Sequence, residues 1–148
     1  MAGPSTEQLS WLLDTYTLSE AAKPRPDEQV MQRLQQHGHE CALPAPVWHE
    51  LRWGWLRMPD GARKAAIGEF VHHVAGDLPI LPYDAAAARV HAELRWEAQR
   101  TGRTLPHIDA EIAAIAIARG LTLVTRNLKD FEGIAGLRVS NWFGQSAG

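Results

Sequence analysis

Apolar side chains recur along the chain at two spacings, which together predict short strands alternating with helices. The run Leu121 to Thr125 is short, apolar and rich in β-branched residues, which is typical of a buried strand. Ile67, Phe70, Val71 and Val74 follow the i, i+3, i+4, i+7 pattern of one helical face. This alternation predicts an α/β sandwich with a mainly parallel sheet. The predicted strands are residues 9–13, 40–43, 78–81, 121–125 and 137–140, and the predicted helices open at residues 17, 27, 44, 60, 84 and 108.

Capping residues predict where several of these helices begin and end. Thr17-Leu-Ser-Glu20 has the pattern of a capping box, so we expect the first short helix to open at Thr17. Asp27 is expected to cap the next helix, and Gly38 to end it. The helix over residues 108–119 is apolar nearly all round, and a helix of that kind lies in the middle of a protein.

The length and composition are those of a globular protein. The chain has 148 residues, of which 45% are apolar and 22% charged. We therefore expect a single domain over residues 1–148, with flexible ends at residues 1–8 and 143–148. Cys41 is the one cysteine, so no disulfide can form within the chain. The first residues lack the pattern of a signal peptide, and no apolar run approaches the roughly 20 residues of a membrane span. A cytoplasmic protein with no membrane partner is expected.

The overall charge does not decide between partners. Fifteen basic and seventeen acidic residues give a net charge of −2, so no bulk positive charge indicates nucleic-acid binding. Twelve of the fifteen basic residues are arginines, whose planar guanidinium binds phosphate or carboxylate through two hydrogen bonds. A local basic rim around an acidic pocket is compatible with this total.

Acidic and amide side chains stand at places where α/β sheets bind ligands. Asp14 follows the first predicted strand, and Asn127 and Asp130 follow the strongest one. Ligands of open α/β sheets bind just beyond the carboxyl ends of the strands. Glu50 and Asp109 interrupt apolar helical stretches, where an unpaired carboxylate is costly. Because clustered carboxylates repel one another and a hard dication such as Mg²⁺ or Mn²⁺ relieves that repulsion, these acids indicate a metal site.

Each of these acids also has an ordinary structural interpretation. Asp14 could cap a turn, and Asp109 could complement the dipole at the start of a helix. Glu50 could pair with Arg52 or Arg57. On the residues alone, both interpretations stay open.

Four segments carry motifs in a fixed order. Trp11-Leu-Leu-Asp-Thr-Tyr-Thr-Leu-Ser-Glu20 is similar to the sequence LLDTNVLSE, and Trp48-His-Glu-Leu-Arg-Trp-Gly54 to the helix pattern x-x-E-L-x-x-G. Residues 102–114 match G-x-x-L-P-x-x-D-A-x-I-A-A, and residues 123–131 match LVTRNxxDF. With all four motifs in order over about residues 10–142, the chain resembles PIN-domain ribonucleases, in particular VapC-type toxins of toxin–antitoxin pairs.

The resemblance implies a three-layer α/β/α fold and an endoribonuclease that cleaves RNA phosphodiesters with metal-activated water. It implies that Asp14, Glu50 and Asp109 are the catalytic, metal-binding carboxylates and that Mg²⁺ or Mn²⁺ is the cofactor. The fourth metal-binding position falls at Asn127, with Asp130 nearby. The family also implies homodimers and inhibition by a cognate antitoxin protein.

Two positions depart from the family pattern. Tyr16 stands where the family has asparagine, and Asn127 stands where some relatives have an acid. These two positions favour an alternative interpretation, a catalytically weakened PIN fold that binds RNA or protein.

The candidate RNA contacts, each within one of the four motifs, are Arg52, Arg103, Arg126 and His107.

Overall fold

The five predicted strands form one sheet in which every neighbouring pair is parallel. The strands of the computed structural model, which describes residues 8–144, pair in the order β3-β2-β1-β4-β5. Each lies within two residues of its predicted bounds, so the predicted strands and parallel sheet are confirmed. The strands are β1 (Trp11–Leu13), β2 (Cys41–Pro44), β3 (Ile80–Leu81), β4 (Thr122–Val124) and β5 (Val139–Ser140).

Six α-helices among the described residues complete the predicted α/β/α fold, which is confirmed. The last two pack against each other, and Gly120 ends the final one in a left-handed conformation with φ of +67°. Glycine adopts that conformation without the clash a Cβ atom would cause. The helices are α1 (Thr15–Glu20), α2 (Glu28–His37), α3 (Ala45–Leu56), α4 (Ala62–His73), α5 (Ala85–Arg100) and α6 (His107–Arg119).

The first helix begins earlier than the capping box predicts. Asp14 is its N-cap, and Asp14 Oδ1 accepts the backbone N–H of Thr17 at 2.8 Å. Glu20 does not close a capping box. Its carboxylate accepts the backbone N–H of Asp27 at 2.8 Å and pairs with Lys23 at 2.9 Å, which joins α1 to α2. The prediction that Thr17 opens the helix is wrong, because the aspartate three residues earlier already satisfies the first turn.

The packed domain extends further toward the C-terminus than predicted. Phe143 is buried in the core, and the backbone N–H of Gly144 donates to the Asp27 carboxylate at 3.1 Å. These two residues therefore belong to the domain rather than to the flexible end predicted from residue 143. Apart from the exposed Gln8, the remaining predicted flexible residues are 1–7 and 145–148, which lie outside the described part of the chain.

The hydrophobic core draws on most elements of the fold, and β1 and α6 are among its most deeply buried parts. Leu12 and Leu13 have no exposed surface, and neither have the four α6 residues 113–116. The parallel register pairs Leu13 with Val124, so the residues that follow β1 and β4 stand side by side at the carboxyl edge of the sheet. Within residues 8–144, no helix has both the length and the apolar character needed to cross a membrane.

Candidate active site

Asp14 stands at the carboxyl end of β1. Its side chain is only 6% exposed, and its backbone N–H donates to the carbonyl of Val124 at 3.1 Å. One carboxylate oxygen caps α1 by accepting the Thr17 N–H, so the structural interpretation of Asp14 as a cap is confirmed. The second oxygen accepts no hydrogen bond from the described residues and is available to a ligand.

Asp109 lies in the first turn of α6 and is half-buried. Burial raises the pKa of its carboxyl group, and the negative charges of Asp130 and Asp14 raise that pKa further. Asp14, Asp109 and Asp130 come from three separate elements of the chain. The fold thus brings Asp109 close enough to both Asp14 and Asp130 for their charges to act on its carboxyl group.

The segment after β4 brings Asn127 and Asp130 to the same edge. The buried Thr125 accepts the backbone N–H of Asn127 on its Oγ1 at 3.0 Å, and a 3₁₀ turn, Leu128–Phe131, follows. The side chains of Asn127 and Asp130 are both exposed. Of these two residues, Asp130 carries a charge that helps to raise the pKa of Asp109, so it extends the acidic cluster. Asn127 offers an uncharged amide oxygen instead.

Glu50 approaches the site from α3 and stands apart from the three aspartates. It is exposed and does not contribute to the raised pKa of Asp109. It lines a cavity of about 740 Å³ whose wall includes Thr15, the residue after Asp14. Among the described residues Glu50 forms no ion pair with Arg52 or with Arg57, and Arg52 bonds Nε2 of His72 at 3.2 Å instead.

The donors at this edge suit Mg²⁺ or Mn²⁺. They are carboxylate and amide oxygens, and none of the ion pairs found within residues 8–144 neutralises any of the four acids. In that part of the chain, no three His, Cys, Asp or Glu side chains converge closely enough to hold an ion by themselves. Such an open arrangement fits Mg²⁺, which is usually bound through one or two carboxylates and keeps several waters.

The four candidate RNA contacts are each engaged by a neighbour within the protein. Arg103 joins the segment before α6 to the segment after β4, which is a structural role. Arg126 and His107 stay beside the acidic edge, since Arg126 lies two residues after the end of β4 and His107 begins α6. Their neighbours are the His72 ring for Arg52, the Glu132 carbonyl for Arg103, the Phe143 ring at 4.6 Å for Arg126, and Glu111 at 3.0 Å for His107.

Tyr16, which replaces the asparagine of the motif, stands largely in solvent. Its side chain is 64% exposed, and it makes no hydrogen bond to another described residue. The turn after β1 is therefore held by the backbone N–H of Thr17 on Asp14 and by no side chain at position 16.

Two buried threonines shape the site, and the motif comparison missed them. Thr17 and Thr125 are both fully buried, and Thr17 Oγ1 donates to the carbonyl of Val124 at 3.4 Å. Thr17 therefore pairs the carbonyl of Val124 at the end of β4, and Thr125 pairs the N–H of Asn127 just beyond it. Each threonine stands close to the end of an apolar strand, and that position could have identified it. A small hydroxyl side chain there can pair the backbone groups that a turn leaves free.

The fold and the site together define an α/β protein with an acidic centre, suited to a divalent cation, at the carboxyl edge of a parallel sheet. The sequence pattern of the PIN domain matches residues 11–137. The VapC ribonuclease Y4jK of Sinorhizobium fredii is 35% identical over 136 residues, which cover 88% of this chain and 95% of that protein. The tRNA(fMet)-specific endonuclease VapC of Shigella flexneri is 33% identical over 135 residues, which cover 90% of this chain and 98% of that one.

A solved structure shows the same likeness. The DNA bound VapBC from Salmonella typhimurium matches with a TM-score of 0.80 at 30% sequence identity, over 90% of this chain and 98% of that chain. The chain therefore belongs to the PIN domain family. Its likeness to VapC ribonucleases over most of its length confirms the resemblance carried by the four motifs.

Proposed function

We propose that the chain is a Mg²⁺- or Mn²⁺-dependent endoribonuclease and the toxin of a toxin–antitoxin pair. The observation that carries this proposal is the approach of Asp14, Asp109 and Asp130 at the carboxyl edge, where no ion pair among the described residues neutralises them. The relatives support RNA as the substrate, since one is named a ribonuclease and another a tRNA(fMet)-specific endonuclease.

The carboxylates differ in how firmly the fold holds them. Asp14 is fixed by its cap and by the pairing of β1 with β4, and Asp109 is fixed in the first turn of α6. These two would hold the cation directly, with the exposed Glu50, Asp130 and Asn127 holding its waters or completing its ligands. A divalent cation held there would supply an activated water and would neutralise the charge that develops on a phosphodiester.

A cleavage assay tests the proposal. The purified chain is incubated with labelled tRNA(fMet) and with an unrelated tRNA, in Mg²⁺, in excess EDTA, and in EDTA followed by excess Mg²⁺ or Mn²⁺. We expect cleavage that EDTA abolishes and either cation restores. Full cleavage in excess EDTA would overturn the metal mechanism. Binding of RNA without cleavage under every condition would support the weakened binding module that Tyr16 and Asn127 favour.

The cavity beside Glu50 supports an antitoxin as partner. It lies between α1, α3 and α4, and much of its wall is apolar, including Leu51, Ile67 and Phe70. A segment seated there would reach Glu50 and so cover one side of the acidic edge. The Salmonella structure is a complex of this toxin–antitoxin type. We therefore propose that the antitoxin inhibits the chain by filling this cavity.

Two substitutions on α4 test the antitoxin site. Ala66 is exposed and lines the cavity, whereas Ala62 is exposed and lies outside it. Ala66→Arg should prevent co-purification with the product of a small neighbouring gene and restore growth arrest, while Ala62→Arg should change neither. Equal behaviour of the two variants would refute this site. The homodimer implied by the family is tested on the pure chain by light scattering, which should give twice the mass of one chain.

A further inference from the structure

A groove of about 470 Å³ runs along α5. Ala88 and Ala92 lie one helical turn apart on the stripe of α5 that lines it, and Trp96 follows one turn further on. Tyr83, from the segment before α5, and His107, at the start of α6, line it as well. Two small side chains followed by a large flat one leave a depression with an indole at one end.

Trp96 is the most exposed tryptophan among the described residues, with 62% of its surface accessible. Within residues 8–144 its ring forms no aromatic pair and no cation–π contact, unlike that of Trp55, which packs against His72 with the ring centroids 4.8 Å apart. An exposed indole of this kind offers a stacking surface to a ligand.

Positive charge accompanies the indole. Arg95 lines the groove, is exposed and pairs with no carboxylate in the described part of the chain. Of the nearby acids, Glu97 is held by Arg100, whose Nε donates to it at 3.1 Å, and Glu111 is paired with His107. The groove therefore presents an unneutralised guanidinium beside an unpartnered indole.

The other wall of the groove is fixed by contacts between its ring side chains. Tyr83 Oη and Nδ1 of the buried His91 are hydrogen-bonded at 2.7 Å, and the rings of His91 and His107 lie with centroids 5.0 Å apart. Arg95 and His107 also line a second cavity of about 410 Å³ beside the groove. Because His107 lies two residues before Asp109, the groove reaches the same end of α6 as the carboxylates.

We propose that this groove is a nucleotide subsite, in which Trp96 stacks on a base of single-stranded RNA and Arg95 contacts a phosphate. Aromatic stacking combined with a basic side chain is how proteins bind single strands with little sequence preference. This inference rests on the proposed nuclease, since a site that cuts RNA needs contacts that hold the strand on either side of the cut. The groove supplies such contacts outside the four motifs.

Binding measured without cleavage tests the subsite. The full chain carrying Asp109→Asn is titrated in EDTA against a short fluorescein-labelled single-stranded RNA of mixed sequence, and anisotropy gives Kd. Adding Trp96→Ala should weaken binding by about 5- to 150-fold, the range that base–aromatic stacking gives, and Trp96→Phe should retain most of the affinity. Arg95→Gln should lower the slope of log K against log salt by about 0.7.

Matched controls separate the groove from general surface effects. Trp53 is 53% exposed on α3, and Arg33 is exposed on α2. Neither lines the groove. Trp53→Ala and Arg33→Gln should leave both Kd and the salt slope unchanged.

Three results would overturn the subsite. They are no binding of the RNA by the parent chain, an unchanged Kd in Trp96→Ala, and a Trp96→Ala chain that changes its oligomeric state but not its RNA affinity. The last result would identify the groove as a protein interface. Cleavage is scored separately with Asp109 intact, so RNA that binds through Trp96 and is never cut would support the subsite and refute the proposed nuclease.

Discussion

Asp14 has a structural role and a proposed metal-binding role, and two substitutions can separate them. In Asp14→Asn the side chain keeps an oxygen that can accept the Thr17 N–H, now 2.8 Å from Oδ1, but loses its charge. In Asp14→Ala both the cap and the charge are lost. Because asparagine caps helices about as well as aspartate, we expect Asp14→Asn to be as stable as the parent to within a few tenths of a kcal/mol.

The expected loss for Asp14→Ala follows from the cap and its surroundings. Removing an N-cap costs about 0.5–2 kcal/mol, and leaving a buried N–H without a partner costs about 1–3 kcal/mol. Thr17 is fully buried, which places the loss at the upper end of the first range. With urea slopes of about 1–3 kcal/mol/M, a loss of about 2 kcal/mol lowers the unfolding midpoint by roughly 0.7–2 M.

Cleavage should respond differently from stability. Both Asp14 variants should cleave RNA more than about 100-fold more slowly, because removing even an indirect support of a metal ligand costs about 10- to 100-fold. Asp84 is the matched control: it caps α5 by accepting the Ala87 N–H at 3.0 Å and lies outside the acidic cluster. Asp84→Ala should lose stability and keep its cleavage rate.

Urea unfolding and RNA cleavage, measured on the same preparations, separate the capping role of Asp14 from its proposed metal-binding role. If Asp14→Asn is destabilised as much as Asp14→Ala, the capping argument is refuted. If Asp14→Asn cleaves RNA at the parent rate, Asp14 is not a metal ligand.

Three further predictions concern other parts of the molecule. Asp109→Asn should abolish most cleavage yet unfold at the parent temperature or above it in a thermal melt, because burial and neighbouring charges already disfavour the ionised carboxyl whose pKa they raise; a large loss of stability would contradict this. Tyr16→Asn should bind Mg²⁺ more tightly in a titration and cleave faster, by up to about 10- to 100-fold, since it restores a side chain able to hold the turn; a slower variant would show that tyrosine takes part in the mechanism. Gly54→Ala on α3 should raise the free energy of unfolding by about 0.5–1 kcal/mol through helix propensity and so raise the urea midpoint, whereas Gly68→Ala on α4 should not, because its Cβ would lie 2.7 Å from the Trp55 indole nitrogen; equal midpoints would refute that contact.

Periodicity predicted the elements that the core must bury. The α6 helix was predicted to be central because it is apolar nearly all round, and its residues 113–116 have no exposed surface. The strands were found because a parallel sheet buried on both faces needs continuous apolar runs. The start of α1 was missed because two residues able to cap it, Asp14 and Thr17, stand three positions apart, and local sequence does not say which one the strand pairing will favour.

The sequence predicted which acids the site brings together, but it did not predict the partners of the arginines. Asp14 and Asp109 stand where strand and helix termini must lie, so the topology places them together. A long side chain instead takes whichever partner the tertiary fold brings near. Arg103 bonds a carbonyl 29 residues further along the chain, and Arg52 bonds a histidine 20 residues further on. Neither partner can be inferred from spacing.

The pairing of β1 with β4 has a consequence for how the chain is made. In the chain, β1 precedes β4, and Trp11 pairs with Thr122 and Leu13 with Val124, more than one hundred residues later. Until β4 emerges, β1 lacks a neighbour on that side, and the carboxyl edge that gathers the aspartates does not exist. Contacts this distant in sequence also form slowly. A chain that stops before β4 therefore cannot assemble this edge, and under the proposed function it would lack the site that cleaves RNA.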